Sequence, residues 1–171
     1  TQIYSNQTAF AALKDDGSVV TWGRKTTGGD SLAIYNSSTE TFSTVSSGVT
    51  NVARIFSTRS AFAALKSNGS VVTWGYSNYG ADSSPYNAAS NPYGIRSGEI
   101  SSGVNTLTPS DNNDRVIQIF STEKAFAALK NDGSVVTWGN DDLGGDSSSV
   151  SSDLTNIIGF ANNLTDDKRL I

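Results

Sequence analysis

Any acid–base or nucleophilic chemistry in this chain has to run on carboxylates, hydroxyls, lysines or tyrosines, because its 171 residues include no histidine and no cysteine. That absence removes imidazole bases, thiolate nucleophiles, the usual zinc ligands and disulfide staples together. The carboxylates that stand side by side are Asp15-Asp16, Asp141-Asp142 and Asp166-Asp167. Adjacent residues in a turn rarely converge on one substrate, so these pairs read as solvated turn residues rather than as an acid and a base. Asp141, Asp142 and Asp146 supply oxygen ligands among polar neighbours, the setting calcium requires, but their spacing matches no recognised calcium loop. Gly28-Gly29 and Gly144-Gly145 lack the Lys-Ser/Thr context of a phosphate-binding loop, and no Ser-Lys motif is present. The expectation is a chain that is not an enzyme and holds no resident cofactor.

Binding chemistry is narrowed by charge. Twelve Lys and Arg stand against 16 Asp and Glu, a net charge of −4, and the densest basic spots are the single pairs Arg24-Lys25 and Lys168-Arg169. A phosphate backbone is repelled on average, so nucleic acid is not an expected partner. No apolar run approaches the roughly 18 residues of a membrane span. The residues suited to a protein or glycan partner are the least repetitive loop residues: Arg24 and Lys25, Tyr76, Asn78 and Tyr79, Asn140, Asp141 and Asp142, with Tyr86 and Tyr93 further on. Tyrosine in a polar loop offers contact area at low entropic cost.

Those loops punctuate a repeat. The segment Ala9-Phe10-Ala11-Ala12-Leu13-Lys14, two variable residues, then Gly17-Ser18-Val19-Val20-Thr21-Trp22-Gly23 returns at Ala61 to Gly75 and at Ala125 to Gly139. The copies differ only in the two residues before the first glycine: Asp15-Asp16, Ser67-Asn68 and Asn131-Asp132. An Asp-Ser pair follows each tryptophan by eight residues, at Asp30-Ser31, Asp82-Ser83 and Asp146-Ser147. The tryptophans lie 52 and then 64 residues apart, so an insertion is placed within Ser84 to Asp114, which is rich in Ser, Asn, Pro and Gly and reads as a loop.

Each copy reads as three antiparallel strands. In the second, Val52 to Ser57 opens, Ala61 to Lys66 follows, and Asn68-Gly69 reverses the chain into Ser70 to Trp74, since both turn residues tolerate positive φ. Alternation puts Val72 and Trp74 on one face and Val71 and Thr73 on the other. One such hairpin buries too little to fold alone, and stacking of neighbours supplies the rest. Phe10, Leu13, Val20 and Trp22, with their equivalents, are therefore expected between sheets. The units are residues 1–48, 49–110 and 111–153, followed by the opening strand of a fourth over 154–161 and a tail over 162–171.

The string IFSTEKAFAALKNDGSVVTWGNDDLGGD, Ile119 to Asp146, resembles the repeat of the chromosome-condensation-regulator family, with its D-G turn and V-x-x-W-G strand. The joint SSGVTNVARI, Ser46 to Ile55, is similar to linkers in the secreted β-lactamase-inhibitor propeller of that repeat class. The resemblance implies an all-β chain of tandem antiparallel blades, a partial or assembled β-propeller, which binds macromolecular partners through loops at its rims. This sequence departs from the pattern of the intracellular members before the second strand, where it carries Thr8, Ser60 and Lys124. Three units also fall below the usual 4–8 blades of a closed ring. With no methionine even at position 1, the chain is expected to be processed or cut from something longer. The preferred reading is a secreted or surface-exposed structural module that assembles with other protein subunits, copies of itself or a larger assembly; the alternative is a protein- or glycan-binding propeller fragment that uses the loops after each Trp-Gly.

Overall fold

The computed structural model describes residues 1–31, 33–36, 40–44, 49–83, 106–107 and 109–159. Strands β1 (Gln2–Ser5), β2 (Ala9–Leu13) and β3 (Val19–Gly23) form the first unit. After the hairpin β4 (Ala33–Asn36) and β5 (Thr41–Thr44), the second unit is β6 (Val52–Ser57), β7 (Ala61–Lys66) and β8 (Val71–Tyr76). The short β9 (Thr106–Leu107) precedes the third unit, β10 (Val116–Ser121), β11 (Ala125–Lys130) and β12 (Val135–Gly139). Each unit is an antiparallel meander, and the chain is an all-β array of tandem blades of the partial-propeller kind.

Local chemistry accounts for the hairpins. Asp16, Asn68 and Asp132 each accept the amide of the serine two residues on, at 2.9, 3.0 and 2.8 Å, and that serine's hydroxyl as well. Gly69, at φ 83, completes the turn. Asn serves at this position where Asp does, so Asp16 of the Asp15-Asp16 pair acts as a turn acceptor. The Ser18 hydroxyl and amide hold Asp16 below the ordinary carboxylate range. At Asp132 burial pushes the other way, and Ser134 with Lys130 outweighs it. The turns fix an identical register in all three units, which pairs Phe10 with Trp22, Phe62 with Trp74 and Phe126 with Trp138. These rings stack at centroid distances of 5.2, 5.3 and 5.4 Å.

A backbone latch joins successive units. The Gly17 carbonyl accepts the Val52 amide and the Gly69 carbonyl that of Val116, both at 3.0 Å. Gly133 receives Ile157 in the same way at 2.9 Å. The chain therefore leaves the third unit along the path of an opening strand. Over residues 154–159, however, the expected strand is not formed, although Ile157 donates to Gly133 and Leu154 accepts from Val135. Residues 160–171 lie outside the described part.

Two further pairings involve β8, and the second runs against the loop reading of Ser84 to Asp114. β4 lies parallel to β8, matching Ile34 with Gly75 and Tyr35 with Tyr76. β9, inside the segment read as a loop, pairs with Val71 and Val72. Together they occupy the outer edge of β8, where unpaired amides would otherwise face solvent.

The third unit also holds a mostly buried ion pair, with the Lys130 ammonium 3.1 Å from Asp114. The Ser110 hydroxyl holds the Asp114 carboxyl below its ordinary range, burial opposes, and Lys130 lowers it further. A depressed carboxylate contributes stability that is present above its unfolded value of about 4 and is lost as pH falls through the folded value. Lys130→Met is expected to cost about 2 kcal/mol near neutral pH, since it strands a charged acceptor. That cost should shrink below about pH 4 as Asp114 becomes protonated, which urea titrations at the two pH values would show. An equal cost at both would remove the ion pair as the cause.

Candidate functional site

Each blade has two unlike faces. Ile3, Phe10, Val20 and Trp22 share one in the first unit; Ala9, Ala11 and Leu13 share the other. The alanine face is buried in the first unit, so the second unit lies on that side. The aromatic face looks back along the array. Phe62, Trp74, Phe126 and Trp138 are at most 1% exposed, whereas Phe10 is 43% and Trp22 44% exposed. The expectation that Phe10, Val20 and Trp22 lie between sheets is thus corrected for the first unit, where no preceding blade covers them among the described residues. For their equivalents in units two and three it holds.

What covers the aromatic face in those units is the preceding unit's exit. After each Trp-Gly the chain makes a single 3-10 turn, at Lys25–Thr27, Ser77–Tyr79 and Asp141–Leu143. Each ends in a left-handed glycine: Gly28, Gly80 or Gly144. The repeated Asp-Ser pair then ties the exit to its own blade. Thr21 Oγ1 accepts the Ser31 amide at 2.9 Å, while Thr73 and Thr137 share hydrogen bonds with the Ser83 and Ser147 hydroxyls at 3.1 and 2.8 Å. The turn so held offers a carbonyl to the next unit. The Trp74 indole N–H donates to Gly28 at 3.2 Å, and Trp138 donates to Gly80 at 3.0 Å.

Of the residues expected at rim loops, Tyr76, Tyr79, Asn78 and Asn140 make contacts at or beside the blade joints. The Tyr79 carbonyl accepts the Thr58 hydroxyl at 2.7 Å, its ring meets Tyr76 edge-on at 5.3 Å, and the Lys124 ammonium lies 5.0 Å from the ring centre. Tyr76 packs on Tyr35 at 5.2 Å. Asn78 Oδ1 accepts from Asn140 Nδ2 at 2.7 Å across the joint, and Lys25 pairs with Asp30 at 3.6 Å. Arg24 and Asp142 are exposed, and neither has a side-chain partner among the described residues. Tyr86 and Tyr93 lie outside the described part.

Three of the expected residues do come together. Arg24, Tyr76 and Tyr79 line a cleft of about 410 Å³ at the joint of the first two units, along with Gln7, Thr26 and Tyr35. A second cleft, of about 420 Å³, lies at the opposite rim beside the Asp15-Asp16 turn. Asp141, Asp142 and Asp146 do not converge: Asp146 accepts the Ser148 amide at 2.9 Å, and among the described residues no three carboxylates gather into a metal-binding group. No helix among them is long and apolar enough to cross a membrane. The joint glycines were missed from sequence, although a glycine six residues after every Trp was there to be read.

At the far end of the array the same exit stands open. Leu143 and Gly144 are exposed, whereas Thr27, Gly28 and Gly80 are buried. A Cβ added to Gly28 or Gly80 would sit 2.6 Å from the ring of Phe62 or Phe126; at Gly144 it would meet only Thr122 Cγ2, at 3.7 Å.

No protein-family model matches this chain, and no curated protein matches it. Among solved structures it is similar to the crystal structure of human WBSCR16, at 22% identity and a TM-score of 0.48, over 81% of this chain and 32% of that one. A likeness at that level bears on neither activity nor partner.

Proposed function

We propose that this chain is a non-catalytic assembly module of propeller-type repeats, displayed outside the cell and joined to other protein subunits through its end units. The observation that carries the reading is the first unit, whose Ile3, Phe10, Val20 and Trp22 expose the surface that later copies bury. Full burial of one large apolar side chain is worth roughly 1.5–3 kcal/mol, and a contiguous patch of four favours association. The resemblance to chromosome-condensation-regulator repeats, which engage macromolecules, supports the same reading. The acidic composition without Cys or His supports a non-catalytic role and is compatible with the extracellular placement.

The test is native molar mass by size exclusion with light scattering across a range of concentrations. Each chain is 18.0 kDa, and a mass that climbs to a multiple of this is expected. Trp22→Glu places a charge on the exposed face and should weaken association at least about tenfold while leaving the fold intact. A single-chain mass at the highest concentration would overturn the reading. The tyrosine-lined cleft, as a site for a glycan or peptide, would then be the one to pursue.

A further inference from the structure

We infer that the partner is a second copy of this chain docked head to tail, the exit turn at Asp141–Leu143 of one copy covering the Phe10 and Trp22 face of the next. This rests on the assembly reading above and names its partner. Both halves of the joint are present in one chain. Twice within the array an indole N–H meets the carbonyl of an exit glycine, Trp74 on Gly28 and Trp138 on Gly80. The halves left over are the indole of Trp22 at one end and the carbonyl of Gly144 at the other. The bare edge of Gly144 leaves the space that Phe62 and Phe126 fill beside its equivalents.

The backbone repeats the same logic. Gln7 N–H donates to the Arg59 carbonyl at 3.1 Å, and Arg59 N–H to that of Glu123 at 2.9 Å. The next rung runs from Glu123 N–H to the Gln7 carbonyl of a second copy. Ser57 Oγ donates to the Ser5 carbonyl at 2.9 Å and Ser121 Oγ to that of Ser57 at 2.8 Å. Continued once more, Ser5 Oγ of the second copy meets the Ser121 carbonyl.

Charge then selects the partner. Across the second joint the first residue of one exit, Asn140, reaches the third residue of the preceding exit, Asn78. At the open ends those positions are Arg24 and Asp142, which are oppositely charged, exposed and without a side-chain partner among the described residues. Two first-unit faces pressed together would instead leave both indole donors without a glycine carbonyl. A head-to-tail contact is heterologous, and it closes into a ring or continues as a fibre according to its rotation.

The experiment uses sedimentation or light scattering on the full chain and two charge reversals, Arg24→Asp and Asp142→Arg. Both positions are exposed, so neither change threatens the fold. Each variant alone sets like charges against each other at the joint and should weaken self-association at least about tenfold. Mixed in equal amounts, each meets its complement in both directions, and association should return to within about threefold of the parent. Failure of the mixture to recover, or variants that associate like the parent, would overturn the head-to-tail pairing and leave the assembly reading standing. A parent chain that never associates would overturn both.

Discussion

Trp74→Ala and Trp138→Ala should each destabilise the fold by about 3–5 kcal/mol, whereas Trp22→Ala should cost only about 1 kcal/mol. The three tryptophans occupy identical sequence surroundings, from the paired Phe on the neighbouring strand to the Asx-Gly turn. What separates them is the next layer. Trp74 and Trp138 are wholly buried and donate to a carbonyl of the preceding unit, so truncation opens a cavity and leaves a buried acceptor unpaired. Trp22 is covered mainly by its stack on Phe10, and that aromatic pair is what alanine removes. Urea denaturation in dilute solution, where association does not contribute, measures all three. Equal losses would mean that a tryptophan's worth lies in its own hairpin, and that the joints carry little of the stability.

The second large effect is expected at Gly80, where alanine should cost about 3 kcal/mol or more. The same change at Gly144 should cost about 1 kcal/mol. Both glycines are left-handed, at φ 91 and 101, so a side chain at either meets the local penalty of roughly 1–2 kcal/mol. Only Gly80 adds a collision. Its new Cβ would stand 2.6 Å from Phe126 Cδ2 and 2.9 Å from Cε2, and that ring is already held against Trp138. Overpacking of this kind costs about 1–3 kcal/mol. The difference between the two variants in chemical denaturation therefore isolates the contact between units. If they matched, the Phe126 ring would be yielding freely and the joint would be looser than its geometry implies.

Much of the local structure was legible because local interactions specify it. An Asn or Asp before Gly accepts its own Ser two residues later, and that alone sets the turn and the strand register. Alternation then sorts Phe62, Val72 and Trp74 onto one face and Ala61, Ala63 and Leu65 onto the other, as the register confirms. The candidate site was only half legible. Residues following each Trp-Gly stood out by their variety, and Arg24, Tyr76 and Tyr79 do share a cleft. Variety cannot show that the same turns are wedged between blades, because the contact is made by a carbonyl that looks alike in every sequence.

The parallel seat of β4 on β8, the rescue of a loop residue pair as β9, and the pairing of Lys130 with Asp114 depend on groups brought together from distant segments. No local pattern encodes them. The burial of the three tryptophans shows the division most clearly. By itself the sequence determined what each blade is: three strands, one turn, an aromatic face and an alanine face. Only the tertiary structure decided which aromatic faces are core and which is surface, because burial is a property of the neighbour. Trp22, identical to its repeats in every local respect, is left exposed because no unit among the described residues covers it.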